Sequence, residues 1–478
     1  MHKLFLMLSA LLMTLTGAEA KVRLPHLLGD NMILQQQTDA RLWGWAKPNA
    51  TVEARVSWTT ETFKTRVGKD GTWLLTVKTP AASMQPLSIS IDDGDGAVSI
   101  QHVLAGEVWV CAGQSNMEMP VKGFDNCPVE HVNNVILDAR NSANVHYVKI
   151  PSVMSTTPLN DADCSWQVCS PETVGEASAT GYFFAREVSR ALNIPVGLVM
   201  ANKGGTRVES WLSRANLKQY TDEPLDSAKM VKQYAWDYHR PLLWGNGTFH
   251  PILNYTVKGI LFYQGCSNVG DPGNRYSERL ALLVKQWRSD FKLGNIPFYF
   301  VEIAPYYYDN VAGIQGALLR EQQHRAATLI LNSAVVCTND CVYPWETQQI
   351  HPCQKQKVGE RLGFVALNKT YGMKSVMCDS PRFKDLSISN DTCYVHLQDD
   401  YGAISRYEDL QGFEVCGQDR VFYPAKAYYY WTKGIIITSE KVQKPVAVRY
   451  CFRNFQLGNV ANRGGMPLVP FRTDNFTE

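Results

Sequence analysis

Four short polar clusters carry the residue types from which acyl-transfer chemistry is built. Ser115 stands in Gly113-Gln114-Ser115-Asn116-Met117, directly after the apolar run at 108–112. A serine on a tight turn leaving a strand is held with its hydroxyl exposed and its own N–H aimed at a substrate oxygen. The surroundings are not Gly-x-Ser-x-Gly, so the usual α/β-hydrolase elbow is not indicated, and alone Ser115 reads better as a helix N-cap. The second cluster, Asn202-Lys203-Gly204-Gly205-Thr206, supplies glycines whose backbone N–H groups approach a ligand closely. The third, Tyr263-Gln264-Gly265-Cys266-Ser267-Asn268, places amide side chains that can donate to an oxyanion. The fourth, Gln348-Gln349-Ile350-His351-Pro352, precedes a helical run and offers His351 as a base for Ser115. An isolated histidine is more often structural; the four clusters in this order favour the catalytic reading.

Such residues need a scaffold that gathers strand ends. From 104 to 366 strand candidates at 106–112, 196–200, 259–263 and 297–301 alternate with helical patterns at 177–192 and 275–291. That alternation predicts an α/β domain, a parallel sheet with helices on both faces and its ligands at the carboxyl ends of the strands. Residues 21–103 alternate apolar and polar in short runs broken by Gly, Pro and Asp, which describes a β-sandwich without a catalytic pattern. Residues 367–478 return to that β-rich texture, and 212–250 reads as an insertion whose aromatics either roof the site or pack.

A chain of 478 residues, 45% hydrophobic and 19% charged, has several domains and a large core, which excludes disorder as a global description. With 47 Lys+Arg against 45 Asp+Glu, the net charge of +2 lacks the basic surplus that nucleic acids require. His2 and Lys3, an apolar run at 4–15 and Ala18-Glu19-Ala20 follow the order of a cleaved secretory signal, so residues 1–20 are expected to direct export to a periplasm or beyond. The run is too short to cross a bilayer of about 30 Å, and no later segment reaches the roughly 20 apolar residues a span needs. Export favours disulfides among the 12 cysteines, with Cys127, Cys164 and Cys169, or Cys378 and Cys393, as local partners and buried free thiols as the alternative for several. Cys337, Cys341, His351 and Cys353 have only loosely metal-like spacing and no Cys-x-x-Cys, so no metal is expected.

The quartet of clusters, with Glu209-Ser210-Trp211 following Gly-Gly-Thr, resembles the sialate O-acetylesterase group of SGNH hydrolases. The resemblance extends to Asn31-Met32-Ile33-Leu34-Gln35, to Trp43-Gly44-Trp45 and to 467–474, so it covers nearly all of the chain after residue 20. It implies a flavodoxin-like SGNH hydrolase domain flanked by β-sandwich-type domains. It also implies a serine esterase that removes O-acetyl groups from sialic acids or sialoglycans through an acetyl-serine intermediate, without a cofactor. Ser115 then matches the nucleophile and His351 the general base, while the N–H of Ser115, the N–H of Gly205 and the amide of Gln264 match the oxyanion hole. Arg207 suits a bidentate pair with a sialate carboxylate, a surface salt bridge being the equal alternative. Acetylated xylan or another glycan is the alternative substrate, and a carbohydrate-binding protein with a decayed esterase site is the alternative function.

Two departures from that family's pattern bear on the chemistry. An aspartate typically stands three residues before the histidine, but here Gln348 does, followed by Gln349. A neutral amide cannot stabilise an imidazolium as a carboxylate does, and in a serine protease triad that loss costs about 10⁴ in turnover. The expectation is a Ser–His dyad, with Glu346 and Asp340 as the carboxylates that would otherwise complete a triad. Cys266 stands where the family has glutamate in Gln-Gly-Glu-Ser, a change expected to retune the site rather than to supply a nucleophile.

Overall fold

The computed structural model describes residues 21–476 apart from 221, 271–274, 400, 402, 403 and 405–408; the leader expected at 1–20 lies outside the described residues. One strand, Val98–Gly113, ties the amino-terminal half of the molecule together. Its first half pairs with Ser83–Asp92 and Ile33–Gln35, and its second half with Val196–Asn202 and Gly259–Tyr263. A single continuous strand therefore joins the amino-terminal β region to the central sheet, across the boundary expected at 103.

Residues 108–112 are all 0% exposed, as a parallel strand covered on both faces must be. Strand alternation then sorts their side chains between two cores. Val108, Val110 and Ala112 join Leu280, Trp287 and Leu319 of the helices Tyr276–Phe291 and Gln315–Leu329. Trp109 and Cys111 join Phe183, Val358 and Leu362 of the helices Ala179–Leu192 and Lys355–Lys369. The expected layering, helices on both faces of a mostly parallel sheet, is what forms.

Across that sheet the strands run Ser333–Val336, Phe298–Val301, Gly259–Tyr263, Val98–Gly113, Val196–Asn202, Val145–Lys149 and Trp166–Val168. Every pair is parallel except the last. The last two strands, Val145–Lys149 and the edge strand Trp166–Val168, are additions that the chain makes before Val196–Asn202. The other five follow a 2-1-3-4-5 order, a common doubly wound arrangement whose switch point lies beside the first strand.

Both β-rich flanks are present. Thr51–Val56 lies between Thr62–Arg66 and Ser83–Asp92, and Asp39–Trp45 pairs with Thr72–Lys78, over a core that includes Leu42, Val52, Ala54 and Val77. After the helix Lys355–Lys369, two four-stranded antiparallel sheets close around Val395, Val415, Ile435, Val448 and Tyr450. Among the described residues no helix is long and apolar enough to cross a membrane.

The disulfide expectation is corrected, because all 12 cysteines are free thiols. Most sit as small apolar side chains in separate cores. Cys164 packs against the cluster on one face of the sheet, whereas Cys127 and Cys169 lie in the cluster on the other. Cys378 and Cys393 are likewise split, the latter belonging to the carboxy-terminal sandwich.

Two helices on one face set the position of the loop that carries His351. Ser178 caps Ala179–Leu192 by accepting from Gly181 N–H at 3.1 Å and donates to the Met117 carbonyl at 2.6 Å, which ties that helix to the turn of Ser115. Lys355–Lys369 packs against it at Gly359, where an added Cβ would lie 2.6 Å from both Thr180 O and Phe183 Cβ. Gly359→Ala therefore tests the packing. The gain of about 1 kcal/mol in helix propensity is outweighed by an overpacking cost of about 1–3 kcal/mol, since the obstacle is partly backbone. Chemical denaturation should show a net loss of stability; a gain would mean that the helices are not in this close contact.

Candidate active site

The carboxyl ends of three adjacent strands, Val98–Gly113, Val196–Asn202 and Gly259–Tyr263, bring the first three clusters together. Gly113 has φ +130°, and a Cβ there would lie 2.3 Å from Tyr263 O, so the backbones touch. Gln114, 2% exposed, donates its N–H to Tyr263 O at 2.9 Å and accepts from Gly265 N–H at 2.7 Å. With that residue anchored twice, Ser115 becomes the first residue of the short helix Ser115–Glu118. Its N–H is among those that a helix cannot satisfy internally.

Gly204 and Gly205 lie alongside. A Cβ on Gly204 would be 3.3 Å from Ser115 Cβ, and its N–H donates to Glu118 Oε2 at 2.5 Å. Gly205 takes φ +76°, and a Cβ there would enter the ring of Tyr238 at 2.4 Å, so this turn admits only glycine on both counts. Tyr238 belongs to the 212–250 segment and stacks on Trp236 with ring centroids 5.8 Å apart. The tryptophan is 63% exposed. This segment thus covers the Gly-Gly turn and presents one open aromatic face beside it.

The fourth cluster arrives from 234 residues away. Asn116 donates its amide to Ile350 O at 3.0 Å, and Lys355 Nζ donates to both Asn116 Oδ1 at 2.8 Å and Pro352 O at 2.6 Å. The residues next to Ser115 and on either side of His351 are therefore bonded to one another. His351 is half-buried, its ring edge-on to Phe124 at 5.3 Å. Burial, then the Lys355 charge, pulls its pKa down to about 4. Its Nε2 has no hydrogen-bond partner among the described residues, so the bond to the Ser115 hydroxyl is not made in this state. Catalytic bonds of this kind often tighten only when substrate binds.

Three residues singled out from sequence have other employment. Gln264 is 1% exposed, and both of its amide N–H groups are taken, by Thr206 O at 2.9 Å and Asn268 Oδ1 at 2.8 Å, while its oxygen accepts from Tyr276 OH at 2.8 Å. The Thr206 carbonyl forbids the flipped amide, so Gln264 braces the turn and has no N–H left for an oxyanion. Arg207 is buried against Glu223, with bonds of 2.7 and 3.3 Å, and also donates to Tyr234 OH at 2.7 Å. Glu209 lies 3.5 Å away and is itself held by Arg279 and Asn268. A guanidinium committed in this way is not a docking point for a substrate carboxylate. It fastens the 212–250 segment to the Gly-Gly turn.

Glu346 does not touch the imidazole either. Its two oxygens accept from Tyr343 N–H at 2.8 Å and Cys353 N–H at 2.9 Å, which closes the loop around His351. Asp340 is taken by Arg361 through two bonds of 2.6 Å. What faces His351 Nδ1 is the thiol of Cys127 at 3.5 Å. Cys266, by contrast, is a partly buried thiol whose desolvation pushes its pKa up, away from nucleophilic use at neutral pH.

Cys127 and Lys355 were not legible as neighbours of His351, whereas Tyr238 lies among the 212–250 aromatics that the sequence offered as a roof or as packing. A cysteine on a loop and a lysine in a helical run carry no local signal. Asn116 sat inside the serine motif, where its spacing could have marked it. Among the described residues no group of three or more His, Cys, Asp or Glu is placed to hold a metal ion.

An α/β sheet with a serine turn, a glycine turn and a histidine loop at its carboxyl end is the layout of a hydrolase of carboxylic esters. Residues 105–367, more than half of the chain, match the family described as carbohydrate esterase, sialic acid-specific acetylesterase, and the chain belongs to that family. It is 26% identical to the sialate O-acetylesterase of Mus musculus over 489 aligned positions, covering 90% of this chain and 89% of that one. The corresponding Homo sapiens protein is 26% identical, covering 75% and 73%. A crystal structure of a carbohydrate acetylesterase from Xanthomonas citri superposes with a TM-score of 0.83 at 28% identity, covering 95% of this chain and 100% of that one. The protein is an esterase of the carbohydrate class.

Two outcomes are expected from this geometry. Truncating Arg207 to Ala leaves two buried carboxylates short of a partner and should cost about 3–5 kcal/mol of stability, read by denaturant titration. An intact fold with only a raised KM for acidic substrates would restore Arg207 as a substrate ligand. The ring protons of His351, followed by NMR, should titrate with a midpoint near pH 4, well below the ordinary value of about 6.5. A midpoint at or above that value would contradict the neutral, buried environment.

Proposed function

We propose that this protein is a serine esterase that removes O-acetyl groups from sialic acids, with Ser115 as nucleophile and His351 as general base. The observation that carries the reading is the Asn116 bridge, which sets the His351 loop against the serine turn while His351 Nε2 has no partner. In this reading His351 Nε2 takes the Ser115 proton as Oγ attacks the acetyl carbonyl carbon. The N–H groups of Ser115 and Gly205 receive the oxyanion, without Gln264. His351 then returns the proton to the departing sugar oxygen, leaving acetyl-Ser115. Water, deprotonated by the same imidazole, attacks that ester and releases acetate and the free serine. The 2-1-3-4-5 strand order supports assigning 104–366 to a flavodoxin-like SGNH domain, with 21–103 and 367–478 as its β-rich flanks. Export through residues 1–20 belongs to the same reading.

The family description and the curated relatives support sialate as the acetyl carrier. One observation favours the second reading, an esterase for acetylated xylan or another neutral glycan. The arginine that would have recognised a carboxylate is already paired with Glu223, whereas the open face of Trp236 suits any sugar ring. A catalytically decayed binding protein is the third reading, and the unencumbered Nε2 of His351 counts against it.

Acetate release from 9-O-acetylated sialic acid and from acetylated xylose, for wild type and Ser115→Ala at matched folding, tests the assignment. Loss of a nucleophile should lower turnover by about 10³-fold or more. Release confined to the neutral sugar would keep the mechanism and change the substrate. Undiminished turnover in Ser115→Ala would end the serine reading.

A further inference from the structure

Resting on the Ser115–His351 reading, the position usually held by an orienting carboxylate needs an occupant, because Glu346 and Asp340 are both committed elsewhere. Four contacts surround the Nδ1 side of His351. Cys127 Sγ lies 3.5 Å from Nδ1, and the same thiol donates to Gln349 Oε1 at 3.2 Å. Gln349 Oε1 also accepts the backbone N–H of His351 at 3.1 Å, while its Nε2 donates to Asn126 O at 3.1 Å. The amide is thus fixed by its own surroundings, with its oxygen toward the thiol.

The hydrogen count then decides the tautomer. A thiol has one proton, and an amide oxygen can only accept. If that proton goes to Gln349 Oε1, the face that Cys127 presents to the ring consists of sulfur lone pairs. Nδ1 must then carry a hydrogen to meet them, which leaves Nε2 with its lone pair free. Burial holds the Cys127 thiol above its ordinary pKa, so it is protonated at neutral pH. The loop is rigid where it matters, since Phe124 and Cys127 exchange two backbone bonds of 3.0 Å and the Phe124 ring meets the imidazole edge.

We propose that Cys127 and Gln349 form a neutral relay, Nδ1–H to Sγ–H to Oε1, that holds His351 in the Nε2-basic tautomer in place of a carboxylate. Cys127 is a positioning residue, acting on the reaction through the imidazole. The relay orients the ring without lending it negative charge, so the imidazolium formed during turnover is held by geometry alone. Sulfur is a weak acceptor, and the fit depends on its size in this half-closed corner.

The test uses the full chain. With Ser115→Ala as the control for the serine reading, Cys127→Ala should lower kcat at least tenfold while KM stays within twofold, and Cys127→Ser should recover a substantial part of that loss. Cys127→Asp would place a carboxylate against Nδ1 and should move the acidic limb of the kcat/KM profile up by one pH unit or more. Histidine ¹⁵N shifts of the unmodified protein give an independent readout, with His351 expected in the Nδ1–H form. Loss of activity in Ser115→Ala with unchanged kcat in Cys127→Ala, or an unmoved acidic limb in Cys127→Asp, would overturn the relay and spare the serine mechanism. An Nε2–H tautomer in the resting protein would overturn it as well, even if the variants fail to fold.

Discussion

A single side-chain amide holds the two halves of this site together. Asn116 donates to Ile350 O and accepts from Lys355 Nζ, which in turn donates to Pro352 O. A buried ammonium with two neutral oxygen partners is costly, and burial pulls the Lys355 pKa down to about 8. In return the contact joins residues 234 apart in the chain. It works together with the packed helices Ala179–Leu192 and Lys355–Lys369, the first of which is tied to the serine turn through Ser178 and Met117.

Charge is handled in a consistent way around the site. Arg207, Glu209, Glu223 and Arg279 are gathered into one buried network beneath and beside the glycine turn. Glu346 is committed to backbone N–H groups, and Asp340 to Arg361. The immediate surroundings of His351 are left with a thiol, an amide, an aromatic edge and one lysine. With no carboxylate against it, and with burial and the Lys355 charge both opposing its protonation, the imidazole is a weak base, and its orientation has to come from shape and hydrogen-bond count rather than from Coulombic attraction.

The fold was legible to the degree that burial patterns are local. Residues 108–112 read as a strand buried on both faces because they are apolar without interruption, and the parallel sheet with its helical layers followed from alternation. The added strands Val145–Lys149 and Trp166–Val168 did not announce themselves, because strands of five and three residues are too short to show a periodicity. The cysteines misled, since count and the expected export argue for pairing, whereas all 12 are free thiols, including Cys127 and Cys169, which share one core.

The sequence alone determined the chemistry on offer: Ser115 after a strand, glycines after the next, His351 before a helix, and no carboxylate where a triad would need one. Motifs of that kind are local because tight turns and strand ends impose residue types on their own few positions. Only the tertiary structure decided which of the polar groups remain available. Gln264, Arg207 and Glu346 each have the right functional group at the right point in the chain, yet their hydrogen-bond capacity is consumed by partners that sequence spacing does not reveal. Cys127 reaches His351 only because two loops 224 residues apart are folded against each other. Hydrogen-bonding capacity is finite and is allotted through space, so a residue's type can be read from the chain while its role depends on which neighbours the fold supplies.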